Sequence, residues 1–173
     1  MDIERRIAAE FRAAGRRLEG YAATFGSEAR IGDFRETIRP GAFRASLAAT
    51  PDIPALVDHD PGRLLARTRS GSLRLSEDAH GLAFALDVPD TTLGRDVLAL
   101  AQRGDLGGMS FAFRATDEAW PERDRRELRA VDLVEISVVH SWPAYSGTTV
   151  AARMARHGRT GAAARLRLWL ETV

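Results

Sequence analysis

Short apolar segments separated by turn residues recur along most of this sequence. Between residues 18 and 140 about seven of them follow one another, rich in apolar and β-branched side chains. Only short stretches of helical periodicity lie between them. Runs of strands with few intervening helices favour an antiparallel barrel or sandwich over a doubly wound parallel sheet.

Helical signals between the strands are few. Thr91 is a good N-cap for a helix that follows it, and Gly104 is a good C-cap for the same helix. A short helix is also predicted over residues 42–49. The polar residues 117–127 predict a loop between two strands.

The two ends of the chain differ from its middle. Residues 1–16 predict a short charged helix or arm, because their apolar residues recur at helical spacing. These are Ile3, Ile7 and Phe11. Residues 17–150 form the predicted main domain. Residues 151–173 form an Arg/Ala-rich tail that is predicted to be helical, either packed on its own domain or docked on a partner.

The absence of two residue types restricts the possible chemistry. The 25 basic residues are all Arg, and the chain has no Cys. Lysine dyads, Schiff bases and P-loop lysines are therefore excluded, as are thiol nucleophiles, disulfides and cysteine-based zinc sites. Any hydrolysis must depend on hydroxyl, imidazole, carboxyl or guanidinium groups. We expect no cofactor and no metal.

Charge and hydropathy restrict the partners. The net charge of +1 argues against a dedicated nucleic-acid-binding protein, which would be strongly basic. No apolar run approaches the roughly 20 residues that span a bilayer, and the first residues do not form a secretory signal. We therefore expect a cytoplasmic protein without nucleic-acid or membrane partners.

The chain has four histidines, and one of them is the best candidate for a general base. His59 follows an apolar strand, where its side chain can face a cleft, although a structural polar residue at a strand end fits the same pattern. His80 falls in a predicted hairpin turn and His157 in the arginine-rich tail. His140 follows the most apolar strand and stays a second candidate.

Ser110 and Glu135 are the matching candidates for a nucleophile and an acidic partner. Ser110 follows two glycines in GGMSFAF, where Met109, Phe111 and Phe113 are expected to face the core and Ser110 to face away. The backbone amides of the glycines, including that of Gly108, are candidates for binding an oxyanion. A plain strand serine is the alternative interpretation.

Glu135 lies in the apolar run DLVEISVV. Alternation places Leu133, Glu135 and Ser137 on one face, and a carboxylate in such a run is costly unless it is paired. Glu135 is therefore expected to point into a polar pocket, paired either with an imidazole or with one of the many arginines.

Five stretches of this sequence resemble, in the same order, the prohead (capsid maturation) proteases of HK97-type tailed phages. They run from residue 19 to residue 149: EGYAATFG, ETIRPGAFRASL, IPALVDHDPGRLLART, GLAFALDVPDTTLGRDVLALAQRGDLGGMSFAF and VDLVEISVVHSWPAYSGT. That family is similar in fold to the herpesvirus assemblins. The resemblance implies a mainly β fold with helices, namely a closed antiparallel barrel of about seven strands surrounded by short helices.

The resemblance also assigns roles. It implies a serine peptidase in which Ser110 is the nucleophile, His59 the general base and Glu135 the third member, with His140 as the alternative third member. Arg126 and Arg129 are further candidates for assisting the oxyanion beside the glycine amides.

The same resemblance implies the substrate and the place of action. The expected substrate is the major capsid protein or its scaffold region, and self-cleavage is possible, inside the immature procapsid in the host cytoplasm. Assemblins work as dimers, which makes a homodimer possible. Two other interpretations stay open: a catalytically silent scaffold protein with a protease-derived fold, and an esterase or amidase for small molecules.

Overall fold

The computed structural model describes residues 2–8, 10–49 and 52–140, so the predicted C-terminal tail lies outside the described residues. The described part is mainly β. Its strands are β1 (Glu4–Ala8), β2 (Glu10–Ala14), β3 (Arg17–Thr24), β4 (Glu28–Ile31), β5 (Phe34–Ile38), β6 (Pro54–Val57), β7 (Asp60–Arg67), β8 (Leu73–Glu77), β9 (Gly81–Asp87), β10 (Gly108–Glu122) and β11 (Arg125–Val139). Its helices are α1 (Arg44–Ala48) and α2 (Thr92–Arg103).

The strands form two sheets. The larger sheet has the order β1-β10-β11-β5-β4, and β6 pairs with the far end of β11 and carries β7 on its other side. The smaller sheet has the order β2-β3-β9-β8. Because β5 and β6 both run parallel to β11 at its opposite ends, one long strand organises most of the larger sheet.

The closed barrel that the resemblance implied is wrong. Both sheets are open, and the described strands are more numerous than the seven expected. Leu18 and Leu86 of the smaller sheet share a single buried cluster with Phe111 and Ile136 of the larger one. Alternating apolar and polar residues occur in sandwiches and barrels alike. The sequence pattern therefore identifies strands without showing whether the end strands pair. The ring of helices is also wrong for the described residues, which contain α1 and α2.

The N-terminal residues form strands and not the helix expected over residues 1–16. β1 pairs with β10, and β2 pairs with β3 in the other sheet. A spacing of four residues places side chains on one face of a strand as well as on one face of a helix. The positions of Ile3, Ile7 and Phe11 therefore fit both structures, and pairing with neighbouring strands decides between them.

The helix predicted after Thr91 is confirmed. The Thr91 hydroxyl accepts a hydrogen bond from the Gly94 amide at 3.1 Å, and Gly104 ends the helix in a left-handed conformation with φ 75°. The polar loop predicted over residues 117–127 is wrong. β10 and β11 continue through most of this segment as a hairpin, in which Glu122 pairs with Arg125. Backbone hydrogen bonding maintains a strand pair even where both faces are polar and solvated.

A buried network of charges joins four strands of the larger sheet. Arg6 forms a bidentate ion pair with Glu36 at 2.6 and 2.7 Å, and Arg126 bonds Glu36 at 3.0 Å and Glu4 at 2.6 and 2.8 Å. Arg126 also pairs with Glu118. The Arg126 side chain is 7% exposed and that of Glu36 is 2% exposed. Each charge has partners, as buried charges require.

This network predicts acid sensitivity. Burial alone would raise the pKa of Glu4, but hydrogen bonds from Arg126 and Arg6 outweigh it and lower that pKa from its ordinary value of 4.5. The ionised carboxylate thus stabilises the fold above pH ~4.5, and the effect is lost as the pH falls through the lowered folded-state pKa. The free energy of unfolding, measured in urea from pH 6 to pH 3, should therefore differ between the wild type and Glu4→Gln, and the difference should shrink in acid. Exposed Glu122→Gln is the control. A difference that does not depend on pH would contradict this account.

Candidate active site

Ser110 lies at the centre of the larger sheet. Its neighbours across the ladders are Ile7 on β1 and Ser137 on β11. The predicted alternation around it is confirmed: Met109, Phe111 and Phe113 belong to the buried apolar cluster, whereas Ser110 and Ala112 are buried outside it. Ser110 therefore occupies the face of this sheet that is turned away from the core.

A bulge in β11 points Glu135 to that same face. Ala112 pairs with Glu135, but the next residue, Phe113, pairs with Leu133, which leaves Val134 as the extra residue. Leu133 consequently joins the core cluster, while Glu135 stays outside it. The expectation that Leu133 shares a face with Glu135 is wrong, because an extra residue reverses the alternation.

His59 was expected at a strand end, but it lies in a tight turn, two residues after β6 ends at Val57. Asp58 and His59 have φ values of 53° and 62°, and they connect Val57 to its cross-strand partner Asp60. Positive φ at both central residues of a two-residue hairpin is characteristic of a type I′ turn. Such a conformation costs free energy in residues other than glycine and persists where the surroundings enforce it.

The surroundings of this turn are provided by β11. The Asp58 amide donates to the Val138 carbonyl at 2.9 Å, and the His59 amide donates to the Ser137 hydroxyl at 3.3 Å. The side chain of Ser137 also donates to Oε2 of Glu135. Ser137 thus connects the backbone of the turn to the carboxylate.

The His59 ring contacts the other oxygen of the same carboxylate. Nδ1 of His59 forms a short hydrogen bond with Oε1 of Glu135, whose side chain is 8% exposed. An ionised carboxylate only accepts, so the hydrogen lies on Nδ1 and the lone pair on Nε2. This contact therefore selects the tautomer of His59 whose Nε2 is free to accept a proton.

The hydroxyl of Ser110 has no hydrogen-bond partner among the described residues, and the residue is fully buried. Ser110 pairs in register with Ser137, the same residue that bonds both His59 and Glu135. The three predicted members are therefore grouped around Ser137. The Ser110 hydroxyl is therefore not accessible to solvent in this structure.

His140 is bound to a different partner from the one that a third triad member requires. Its amide and its ring Nδ1 contact the Asp58 carboxylate at 3.0 and 2.7 Å, and Arg63 donates to the same carboxylate at 2.9 Å. Burial alone would raise the pKa of Asp58, but the hydrogen bonds from His140 and Arg63 outweigh it and lower that pKa. Through Asp58, His140 thus supports the turn that contains His59.

The two arginines proposed for the oxyanion are not brought to Ser110. Arg126 belongs to the buried charge network, and Arg129 is exposed and paired with Glu127 at 3.7 Å. Along β11 they lie eleven and eight residues from Ser137, or roughly 25 Å and more at ~3.3 Å per residue. Gly108 is two residues before Ser110 on β10.

The remaining histidines are placed away from these groups or are not described. His80 lies in the turn between β8 and β9, as predicted, with its ring edge-on to Tyr21 at 4.4 Å. His157 lies outside the described residues. Within the described ranges, no cluster of His, Asp and Glu side chains is arranged to hold a metal ion, and neither helix is long and apolar enough to cross a membrane.

The sequence matches one protein-family model over most of its length. A family model described as caudovirus prohead serine protease matches residues 2–162. The chain belongs to this family. The match extends beyond both ends of the segment 19–149 on which the resemblance was based, so it includes the strands β1 and β2. Searches of curated proteins and of solved structures gave no significant match.

Family membership supports the coarser part of the prediction, a relation to serine peptidases. The family is one of prohead serine proteases of tailed phages, and the chain carries Ser110 on the same sheet face as Glu135, the carboxylate that binds His59. Sequence reasoning missed the part played by Ser137. Its one signal was a small polar residue two positions after Glu135 in an otherwise apolar run, which fixes its face and not its partners.

Proposed function

We propose that this chain is an endopeptidase in which Ser110 is the nucleophile, His59 the general base and Glu135 the residue that orients the base. The observation that carries the proposal is the contact between Nδ1 of His59 and the Glu135 carboxylate. It leaves Nε2 as the basic nitrogen, and Ser110 lies in register with Ser137, which bonds both members of the pair. Family membership supports the same reaction class.

The mechanism is acyl transfer. Nε2 of His59 takes the Ser110 proton as Oγ forms a bond to the peptide carbonyl carbon, and the carbonyl π electrons move to oxygen. Collapse of this intermediate breaks the C–N bond, and His59 returns the proton to the leaving amine. Water then attacks the ester by the same route and regenerates Ser110. Glu135 stabilises the imidazolium that exists between the two transfers.

The proposed substrate is the capsid precursor of a tailed phage or phage-like particle. The family description places such enzymes in the prohead, and a maturation protease there acts on the scaffold region of the capsid protein. We propose that cleavage occurs inside the immature procapsid and that the chain is able to cleave itself. A homodimer is a further expectation, which the oligomeric state in solution tests.

Ser137 gives a first kinetic prediction. Ser137→Ala removes one hydrogen bond to the Glu135 carboxylate and one to the His59 amide. A hydrogen bond to a charged group contributes ~1.5–3 kcal/mol, so kcat on the capsid precursor should fall roughly 10- to 100-fold. Ser76→Ala, at an exposed position on β8, is the control and should retain full activity. A normal kcat in Ser137→Ala would show that Ser137 does not orient the pair.

One observation favours a second function, that of a catalytically silent scaffold protein. Ser110 is fully buried and its hydroxyl is not hydrogen-bonded within the described chain. A serine that no substrate ever reaches would also be fully buried with an unpaired hydroxyl. The complete histidine–carboxylate pair beside it argues for the protease, because a silent protein needs no imidazole held in one tautomer.

Incubating the purified chain with its capsid precursor separates the candidate functions. We expect discrete capsid fragments on a gel, and mass spectrometry of the fragments identifies the bond that is cut. A parallel assay with a p-nitrophenyl ester tests for a small-molecule esterase. Ester hydrolysis without capsid cleavage would favour the esterase, and no turnover of either substrate would favour the silent scaffold.

A further inference from the structure

Two buried side-chain polar atoms in the described residues have no hydrogen-bond partner, and they belong to residues on neighbouring strands. They are Oγ of Ser110 and Nε of Arg5. Buried polar groups almost always have partners, so each exception requires an explanation. Arg5 was not singled out by its sequence context, which is a charged N-terminal segment.

Strand register places Arg5 on the same sheet face as the proposed catalytic residues. Arg5 on β1 pairs with Ala112, and Ile7 pairs with Ser110. Arg5 is therefore the diagonal neighbour of Ser110, at a backbone separation of about 7–8 Å that long side chains can span. On its other side, Ala112 pairs with Glu135. The order of residues across this face is Arg5, Ala112 and Glu135.

The guanidinium of Arg5 is not committed to a carboxylate. Its neighbour Arg6 points to the opposite face and is bound by Glu4 and Glu36, whereas Arg5 forms no ion pair with any carboxylate of the described ranges. Arg5 is half-buried, with Nε fully covered. A covered N–H donor without an acceptor is suited to an acceptor that arrives with the substrate.

We infer that Arg5 donates to the carbonyl oxygen of the scissile peptide bond and stabilises the oxyanion that forms when Ser110 attacks. This inference rests on the proposed function of Ser110. A carbonyl placed between the two atoms presents its carbon to Oγ for attack, and its oxygen accepts the Nε hydrogen. Negative charge then develops on that oxygen in the transition state, so the Arg5 interaction strengthens as the reaction proceeds.

The test is the kinetics of capsid-precursor cleavage by Arg5→Gln, with Arg12→Gln as the matched control. Arg12 is an exposed arginine on β2, paired with Glu19. Loss of one oxyanion donor costs ~10²–10³-fold in kcat. We expect that loss in Arg5→Gln with KM changed less than about threefold, and no change in Arg12→Gln. An unchanged kcat, or an increase in KM alone, would overturn the inference.

A second variant separates catalysis from folding. Arg5→Ala is assayed with added guanidinium and, in parallel, with urea at the same millimolar concentration. Recovery of kcat with guanidinium alone supports a missing donor, whereas recovery with neither or with both contradicts it. Ser110→Ala separates the failure of the proposed function from the failure of the role inferred for Arg5. An active Ser110→Ala overturns the proposed function, while an inert Ser110→Ala with a fully active Arg5→Gln overturns only the role of Arg5.

Discussion

Ser110→Ala should abolish cleavage of the capsid precursor and leave the fold intact. Removal of the nucleophile of a serine triad lowers kcat by about 10⁴-fold or more. The hydroxyl of Ser110 is buried and unpaired among the described residues. Its replacement by a methyl hydrogen therefore costs no hydrogen bond within that part of the chain, and the free energy of unfolding should be unchanged or slightly higher.

The two readouts of this variant have separate meanings. Processing of co-expressed capsid precursor, followed on a gel, reports activity, and urea unfolding reports stability. Ser76→Ala controls for the loss of a hydroxyl elsewhere on a strand. Capsid fragments produced by Ser110→Ala at the wild-type rate would remove Ser110 from the mechanism. A large loss of stability would mean that Ser110 has a structural partner.

Glu135→Gln should reduce turnover far more than His140→Gln. An amide at position 135 offers an N–H as well as an acceptor, so it no longer fixes the hydrogen on Nδ1 of His59, and it no longer stabilises the imidazolium. The corresponding change in a well-characterised serine triad lowers kcat about 10⁴-fold. His140 contacts Asp58 and not the His59 ring, so His140→Gln should lower kcat by less than about tenfold.

The comparison of these two variants includes its own control. Glu135→Gln removes a carboxylate that contacts the His59 ring, and His140→Gln removes an imidazole that contacts Asp58 in the same turn. Both variants keep a polar side chain. Steady-state kcat and KM on the capsid precursor should be compared at one pH at which the wild type is active. A larger loss in His140→Gln than in Glu135→Gln would transfer the third role to His140.

The sequence predicted the elements of the fold better than their assembly. The helix after Thr91 was recognisable because its caps are local, with the hydroxyl of Thr91 and the left-handed Gly104 acting on their own neighbours. Sheet closure depends on whether distant end strands pair, and no local pattern encodes that. The strand at Ile7 was mistaken for a helix for the same reason, since pairing with β10 decides its conformation.

In the candidate site, too, local features were predictable from the sequence and features set by distant strands were not. Ser110, His59 and Glu135 were recognisable as candidates from residue type and position, whereas the roles of all three as triad members depended on a family resemblance. The bulge at Val134 was not predictable, because one unpaired residue changes the face of every residue beyond it. The left-handed turn at Asp58 and His59 was also missed. Neither residue is a glycine, and β11 enforces their conformation through hydrogen bonds from distant residues.

The most direct test of the central claim is the site of covalent labelling by a fluorophosphonate, mapped by mass spectrometry of the digested protein. The account predicts a single adduct on the Ser110 Oγ, absent in Ser110→Ala and formed far more slowly in His59→Gln, because His59 removes the proton from the hydroxyl. An adduct on another serine, or equal labelling rates in the wild type and His59→Gln, would contradict it.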